Sequence, residues 1–179
     1  MTLVRGMALA ASVAVIAGML VAGVVMARSV HASATLIDAT GSPVGWVGLV
    51  EDGSGVVHVN LHVEGMTPGL HGVHIHAVGA CSPTFAAAGG HYNPLGHQHG
   101  LDNPEGAHAG DLPNLSVNVA GVGHLDATSD RVTIAPGPAT LVDADGSAFI
   151  VHANPDDQVT DAGNGGSGAR IACGVIHAD

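Results

Sequence analysis

The sequence predicts an all-β fold, an antiparallel sandwich or barrel, from three observations. Of its 179 residues, 27 are glycine and only four are phenylalanine, tyrosine or tryptophan. This composition favours a turn-rich fold with an aliphatic core over a helical one. Short segments of alternating apolar and polar residues recur along the chain, and turns containing glycine or proline separate them. The length suits one domain with an N-terminal extension.

The predicted strands follow one another closely in the first half of the domain. Residues 57–64 alternate strictly between apolar and polar side chains, as a half-buried antiparallel strand does. The polar face of this segment carries His58 and His62, which are expected to lie in solvent. The full set of predicted strands is 34–40, 44–50, 57–64, 71–78, 115–120, 122–128, 131–134 and 148–153.

Two stretches, 79–114 and 154–169, show no such alternation and are predicted to be long loops. Loops of this length are uncommon in a compact domain and are usually functional or disordered. We expect a disulfide and a bound metal to order the first loop, which carries Cys81 and several histidines. The second cysteine, Cys173, follows the second predicted loop, and in an oxidising compartment a disulfide is favoured over two free thiols.

The N-terminal region predicts export. Residues 7–27 are uncharged and mostly apolar, with Arg5 before them and Arg28 after them, and a helix of this length reaches about 31 Å, enough to cross a bilayer. Ala32-Ser33-Ala34 resembles a signal-peptidase site. Residues 1–33 are therefore interpreted as a signal peptide or a membrane anchor. Either alternative predicts an extracytoplasmic location, periplasmic, secreted or anchored facing outward.

The first candidate for chemistry is His74-x-His76. Side chains two apart on a strand share a face and lie about 6.5–7 Å apart, so both imidazoles can bind one metal ion. Imidazole suits copper, zinc, iron and nickel, but an isolated pair also describes two surface histidines. The other candidates along the chain are His91, His99, His108-x-x-Asp111 and His152.

These motifs, in this order, resemble the copper–zinc superoxide dismutase family. The matching segments are Gly69-Leu70-His71-Gly72-Val73-His74-Ile75-His76, Gly90-His91-Tyr92-Asn93-Pro94, His99-Gly100, His108-Ala109-Gly110-Asp111-Leu112, Val151-His152 and Gly168-Ala169-Arg170-Ile171-Ala172-Cys173. The resemblance covers residues 34–179. It implies an eight-stranded antiparallel Greek-key β-barrel with two long active-site loops, preceded here by an apolar N-terminal helix.

The resemblance also implies a role for each matching residue. Copper and zinc are the implied cofactors, and His91 would bridge them. The implied copper ligands are His74, His76, His91 and His152, and the implied zinc ligands are His91, His99, His108 and Asp111. Arg170 would receive the anionic substrate, Asp156 would hydrogen-bond one histidine of each metal, and Cys81–Cys173 would be the family disulfide. The resemblance assigns no role to His58, His62, His97 and His124.

The implied activity is dismutation of superoxide to dioxygen and hydrogen peroxide by alternating reduction and reoxidation of the copper. A non-catalytic copper/zinc-binding or copper-transfer protein on the same fold is the alternative. After residue 34, fifteen acidic residues against two arginines give a formal charge of −13 with histidine neutral. This charge disfavours nucleic acid as a partner and opposes long-range attraction of superoxide, so Arg170 is expected to supply most of the local attraction. Membrane attachment through 7–27 and a homodimer are left open.

Overall fold

The computed structural model describes residues 30–162 and 164–179, which form a single antiparallel sheet with two short 3₁₀ turns. The strands within these residues are β1 (Val30–Ile37), β2 (Pro43–Glu51), β3 (Val57–Val63), β4 (Gly69–His71), β5 (Val73–His76), β6 (Leu115–Val117), β7 (Gly123–Ser129), β8 (Ala148–His152), β9 (Arg170–Val175) and β10 (His177–Ala178). The 3₁₀ turns are Phe85–Ala88 and Asn164–Gly166.

The sheet nearly closes into a barrel. Its strand order is β4-β6-β7-β3-β2-β1-β9-β8-β5, with β10 added to β1. Because only Gly72 separates β4 from β5, the two ends of the sheet are halves of one interrupted strand. Counting these halves as one strand and leaving aside the two-residue β10 gives eight strands. The predicted all-β antiparallel Greek-key barrel is confirmed.

The barrel interior is aliphatic, as the composition predicts. In β3 the apolar residues are buried and the intervening residues point outward, so the period-two pattern of the sequence is realised directly. Phe149 is the largest fully buried side chain, and leucine, isoleucine and valine fill most of the remaining core. The outer face of β3 carries His58, Asn60 and His62.

The first strand begins earlier than predicted, at Val30 instead of residue 34. Val30 pairs with Glu51 of β2, and Ala32 pairs with Ala178 of β10 on the other side. Ala32 is 1% exposed and therefore belongs to the core. Residues 30–36 alternate between apolar and polar side chains, but Ala32-Ser33-Ala34 also resembles a signal-peptidase site, so residues 30–33 are predicted to belong to the export segment. The boundary between the export segment and the domain stays a prediction.

The predicted strand at 131–134 is wrong. Only an isolated bridge between Thr133 and Thr140 forms there. The backbone N–H groups of Ile134 and Ala135 instead donate to the carboxylate of Glu51, at 2.6 and 2.7 Å. This buried carboxylate takes the donors that a strand partner would otherwise use.

Both predicted loops are confirmed within the described residues, at 77–114 and at 153–162 with 164–169. The disulfide Cys81–Cys173 is present and ties the first loop to β9. A bridge between residues 92 apart stabilises the fold by about 4–5 kcal/mol in the chain-entropy account. No helix within 30–162 and 164–179 is long and apolar enough to cross a membrane. The predicted apolar helix at 7–27 lies outside the described residues.

A domain that begins at Ala34 will be less stable than one that begins at Val30. The shorter chain loses four residues of β1, their pairing with β2 and β10, and the burial of Ala32. We expect the free energy of unfolding to fall by about 2–4 kcal/mol. Denaturant unfolding of the two chains, both with the disulfide intact, measures the difference. Equal stability would show that residues 30–33 contribute nothing to the sheet.

Candidate metal centre

The site is built on β5, a strand that is buried along its whole length. Val73 and Ile75 point into the barrel core, so the alternating residues His74 and His76 point to the opposite face. One edge of β5 pairs with β8. The other edge pairs with the backbone of the first loop: Ile75 N–H donates to Gly110 O, and Tyr92 N–H donates to Ile75 O, both at 2.8 Å.

This edge pairing brings the loop residues to the strand histidines. His91 lies opposite His76, and Asp111 lies opposite His74. The loop comes so close that a Cβ at position 110 would lie 2.3 Å from the carbonyl oxygen of Ile75, which explains why that position is glycine. His152, the last residue of β8, is placed beside the same strand because its N–H donates to Gly72 O at 2.9 Å.

Four buried histidines form the first group of candidate ligands. One donor atom from each lies within 4.8 Å of the others, and in each ring one nitrogen has no hydrogen-bond partner. The unpartnered atoms are His74 Nδ1, His76 Nε2, His91 Nε2 and His152 Nε2. Buried polar atoms are normally paired, so four unpaired nitrogens this close together are the arrangement that a metal ion satisfies.

The second nitrogen of these rings is held by a fixed acceptor. His76 Nδ1–H donates to Gly89 O at 2.9 Å, and His152 Nδ1–H donates to Gly168 O at 3.0 Å. Because a carbonyl oxygen only accepts, these contacts fix the tautomer and leave a lone pair on the unpartnered nitrogen. Burial further lowers the pKa of His74 to about 3, of His76 to about 2 and of His152 to about 4. These rings are therefore neutral at physiological pH, as metal ligation requires.

Asp111 lies at the centre of a second group. Its Oδ1 is 2.9 Å from His91 Nδ1, 3.1 Å from His99 Nδ1 and 3.4 Å from His108 Nδ1. Burial opposes ionisation, but hydrogen bonds from His108, His91 and His99 outweigh it and hold the pKa of Asp111 well below its usual range. The donors that lie within 4.8 Å of one another come from His74, His91, His99 and Asp111. His108, the fourth predicted zinc ligand, lies beside this group, with Nδ1 3.3 Å from His91 Nδ1.

Asp156 connects the two groups in the way the resemblance implies. His74 Nε2–H donates to Oδ2 at 2.5 Å, and His99 Nε2 lies 3.0 Å from Oδ1. A Cβ at Gly165 would lie 2.0 Å from this carboxylate, so only glycine lets the second loop close over it. Burial lowers the pKa of His99, but its hydrogen bonds to Asp111 and Asp156 outweigh burial and raise that pKa to about 10.

Two residues that support the site were missed by sequence reasoning. The Asn114 amide donates to Asp156 O and accepts from Asp156 N–H, both at 2.8 Å, and so joins the end of the first loop to the second. The Arg131 guanidinium donates to Asp111 O at 2.9 Å. No sequence signal marks either residue, because each acts through a contact between segments distant in the chain.

Arg170 begins β9 and holds the first loop. Its guanidinium donates to Phe85 O and to Gly89 O, each at 2.6 Å. Since Gly89 O also accepts from His76, the cation is fixed close to the first histidine group. Arg170 also lines a surface cavity of about 560 Å³ beside the disulfide. His58, His62, His97 and His124 are not part of either group.

The antiparallel barrel and the adjoining histidine groups define a class of protein, a β-barrel with a paired metal centre. Residues 44–176 match the family model of copper/zinc superoxide dismutase. A relative in Aquifex aeolicus (strain VF5), superoxide dismutase [Cu-Zn] 2, is 42% identical over 83% of this chain and 88% of its own. The chain therefore belongs to the copper/zinc superoxide dismutase family.

Similar proteins with less specific names also match. The superoxide dismutase-like protein YojM of Bacillus subtilis (strain 168) is 38% identical over 79% of this chain and 73% of its own. The crystal structure of a dismutase-like protein from Bacillus subtilis superposes with a TM-score of 0.75 at 37% identity, covering 80% of this chain and 96% of that one.

Copper and zinc are the metals of this family, and the residues present fit both. Four imidazoles without a soft sulfur ligand accept Cu(II), and three imidazoles with one carboxylate suit a structural zinc.

The stability of the chain stripped of metal by chelation will fall as the pH falls from 7 to 4. His74, His76 and His152 have depressed pKa values in the folded state, whereas the unfolded chain takes up the same protons near pH 6.5. The free energy of unfolding therefore decreases progressively as the pH falls below 6.5, and we expect it to be lower by at least about 3 kcal/mol at pH 4. His99 offsets only a small part of this loss, because it stays protonated in the folded state while the unfolded chain takes up the same proton between about pH 7 and 6. Denaturant unfolding across this range measures the loss, and a flat profile would contradict neutral burial of these rings.

Replacing Asp156 with asparagine will weaken metal binding. The amide offers one accepting oxygen, so it can no longer accept from His74 and His99 together. We expect zinc affinity to fall about 10- to 100-fold, measured by competition with a chelator. Asp102→Asn makes the same charge change at an exposed position of the first loop and serves as the control. Unchanged zinc affinity in Asp156→Asn would show that the contacts of Asp156 with His74 and His99 do not support zinc binding.

Proposed function

We propose that this chain dismutates superoxide, converting two superoxide anions and two protons into dioxygen and hydrogen peroxide. The observation that carries the proposal is the set of four unpartnered imidazole nitrogens in the first histidine group. When bound there, copper supplies a one-electron redox centre, and zinc in the second group supplies a fixed positive charge. His74, His76, His91 and His152 are the proposed copper ligands, and His91, His99, His108 and Asp111 are the proposed zinc ligands.

His91 is proposed to serve both metals. Its Nε2 belongs to the unpartnered set, while its Nδ1 faces the second group, 2.9 Å from Asp111 Oδ1. One imidazole can therefore contribute a nitrogen to each site. When His91 Nε2 is not acting as a ligand it can hold a proton, and hydrogen peroxide formation requires protons delivered at this place.

Arg170 is proposed to attract and orient the superoxide anion. The described residues carry only two arginines, and Arg131 is bound to the loop backbone at Asp111. The protein as a whole is strongly negative, so its long-range field repels the substrate. A guanidinium fixed beside the first histidine group gives a short-range attraction that this field does not cancel.

The second candidate function is a non-catalytic copper/zinc-binding or copper-transfer protein. The observation that favours this alternative is that two similar proteins have names that state only a likeness to superoxide dismutase. The complete set of four unpartnered imidazoles and the fixed Arg170 support the catalytic alternative, because a binding protein needs no cation placed for an anionic substrate.

We also propose an extracytoplasmic location. The Cys81–Cys173 disulfide supports it, because structural disulfides persist in oxidising compartments and are rare in the cytosol. The apolar run at 7–27 supplies the route of export, as a cleaved signal or as an anchor.

Replacing Arg170 with alanine in the copper- and zinc-loaded protein will lower the second-order rate of dismutation about 10- to 100-fold, because the local attraction is lost. Arg170→Lys keeps the charge but loses the paired hydrogen bonds of the guanidinium to Phe85 O and Gly89 O. We therefore expect an intermediate rate. Pulse radiolysis or stopped-flow decay of superoxide measures both, with a copper-free preparation as the blank. Full metal occupancy without turnover in the parent protein would favour the copper-transfer alternative.

A further inference from the structure

The outer face of the barrel carries a second cluster of imidazoles, separate from the metal centre. His62 of β3 lies directly opposite His124 of β7 in the strand register, and Trp46 of β2 lies opposite His62 on its other side. All three side chains point away from the core. His124 is exposed, and the ring centroids of His62 and His124 are 4.5 Å apart. The sequence does not reveal this pair, because the residues are 62 apart.

The separation of the two rings suits a shared metal ion. His62 Nδ1 lies 3.2 Å from His124 Nε2 and 3.3 Å from His124 Nδ1. Two nitrogens that each lie about 2.0–2.1 Å from one ion are about 2.9 Å apart at a square-planar corner and about 3.3 Å apart in a tetrahedron. The nitrogen separation therefore matches a two-imidazole site, which forms when the exposed His124 ring turns to direct one nitrogen at the ion, with water completing the coordination.

Glu64 orients His62 in the way that metal-bound histidines are commonly oriented. Its Oε1 lies 3.0 Å from His62 Nε2, on the side of the ring that faces away from His124. A carboxylate accepts, so the proton of the neutral imidazole is drawn to Nε2 and the lone pair of Nδ1 faces His124. The side chain of His62 is 18% exposed, which limits its freedom to turn away.

The electrostatic setting favours a cation. The domain is strongly negative. The only two arginines among the described residues, Arg131 and Arg170, donate hydrogen bonds at the metal centre and the first loop, away from the imidazole pair. Glu64 adds a carboxylate next to the imidazole pair. A surface cavity of about 320 Å³ lined by Trp46, His62 and Glu64 leaves this edge of the cluster open to solvent.

We propose that His62 and His124 bind a third, exchangeable transition-metal ion, Cu(II) or Zn(II), on the outer face of the barrel, with Glu64 as the positioning residue. This site is independent of the proposed activity, since none of its residues belongs to either ligand group of the metal centre. It would hold an ion in contact with solvent, whereas the candidate ligands of the metal centre are buried.

Trp46 provides the probe, because it is the single tryptophan of the chain and its ring centroid lies 6.0 Å from that of His62. Protein already loaded with one copper and one zinc is titrated with Cu(II), and Trp46 fluorescence is recorded. We expect saturable quenching at one further equivalent, because a paramagnetic ion at this distance quenches the indole. Added Zn(II), which does not quench, should compete with Cu(II) and restore the emission.

The variants decide which residues hold the ion. His124→Gln and His62→Gln should each abolish the saturable quenching, while dismutation remains unchanged. The matched control is His58→Gln, an exposed histidine on the same face of β3 that pairs with Asp52 at 2.9 Å and should leave the quenching intact. Glu64→Ala should weaken Cu(II) binding, and Glu64→Gln should restore most of it, since its amide oxygen can accept from His62 Nε2–H.

Two results would overturn the proposal. The first is the absence of saturable quenching in the parent protein, which would make the His62–His124 contact an ordinary hydrogen bond between side chains. The second is quenching that persists in either His124→Gln or His62→Gln with the barrel folded, which would place the ion elsewhere. Circular dichroism of each variant shows whether the barrel is retained, and either histidine variant that folds suffices for the test.

Discussion

The structure depends on which backbone groups hydrogen-bond to the edge of β5 that faces away from β8. This strand is buried, so backbone groups left unpaired on the edge away from β8 would be costly. The first loop meets this requirement by pairing its own backbone with Ile75 through Gly110 and Tyr92. The same pairing sets His91 and Asp111 next to His74 and His76. A requirement of sheet hydrogen bonding therefore determines the geometry of the metal centre.

The second loop completes the centre through one buried carboxylate. Asp156 contacts His74 and His99, and Asn114 fixes the backbone of Asp156 to the end of the first loop. The two loops consequently order each other. The disulfide adds a covalent tie between the first loop and β9, the strand that also supplies Arg170. Side chains from two long loops are in this way fixed by hydrogen bonds and a disulfide, and a preorganised metal centre requires such fixing.

The sequence predicts the parts of this structure that depend on local pattern. Alternation in β3 predicts its buried and exposed faces, and the spacing of His74 and His76 predicts a shared face. The remainder depends on contacts between distant segments. The predicted strand at 131–134 is wrong because no partner strand pairs with it and Ile134 N–H donates to the distant Glu51 instead, and the early start of β1 depends on pairing with β2 and β10. Asn114 and the His62–His124 pair could not be predicted, since single-residue patterns carry no information about cross-strand register.

The most direct test of the account is the metal content of the purified protein together with the electron paramagnetic resonance spectrum of its copper. The protein is loaded with copper and zinc and washed with a weak chelator that strips solvent-exposed ions. The four unpartnered imidazole nitrogens and the Asp111 group predict one copper and one zinc per chain, with Cu(II) bound by nitrogen ligands. A chain that retains zinc alone, or whose copper shows no nitrogen ligation, would contradict the central claim that these four histidines form a copper site.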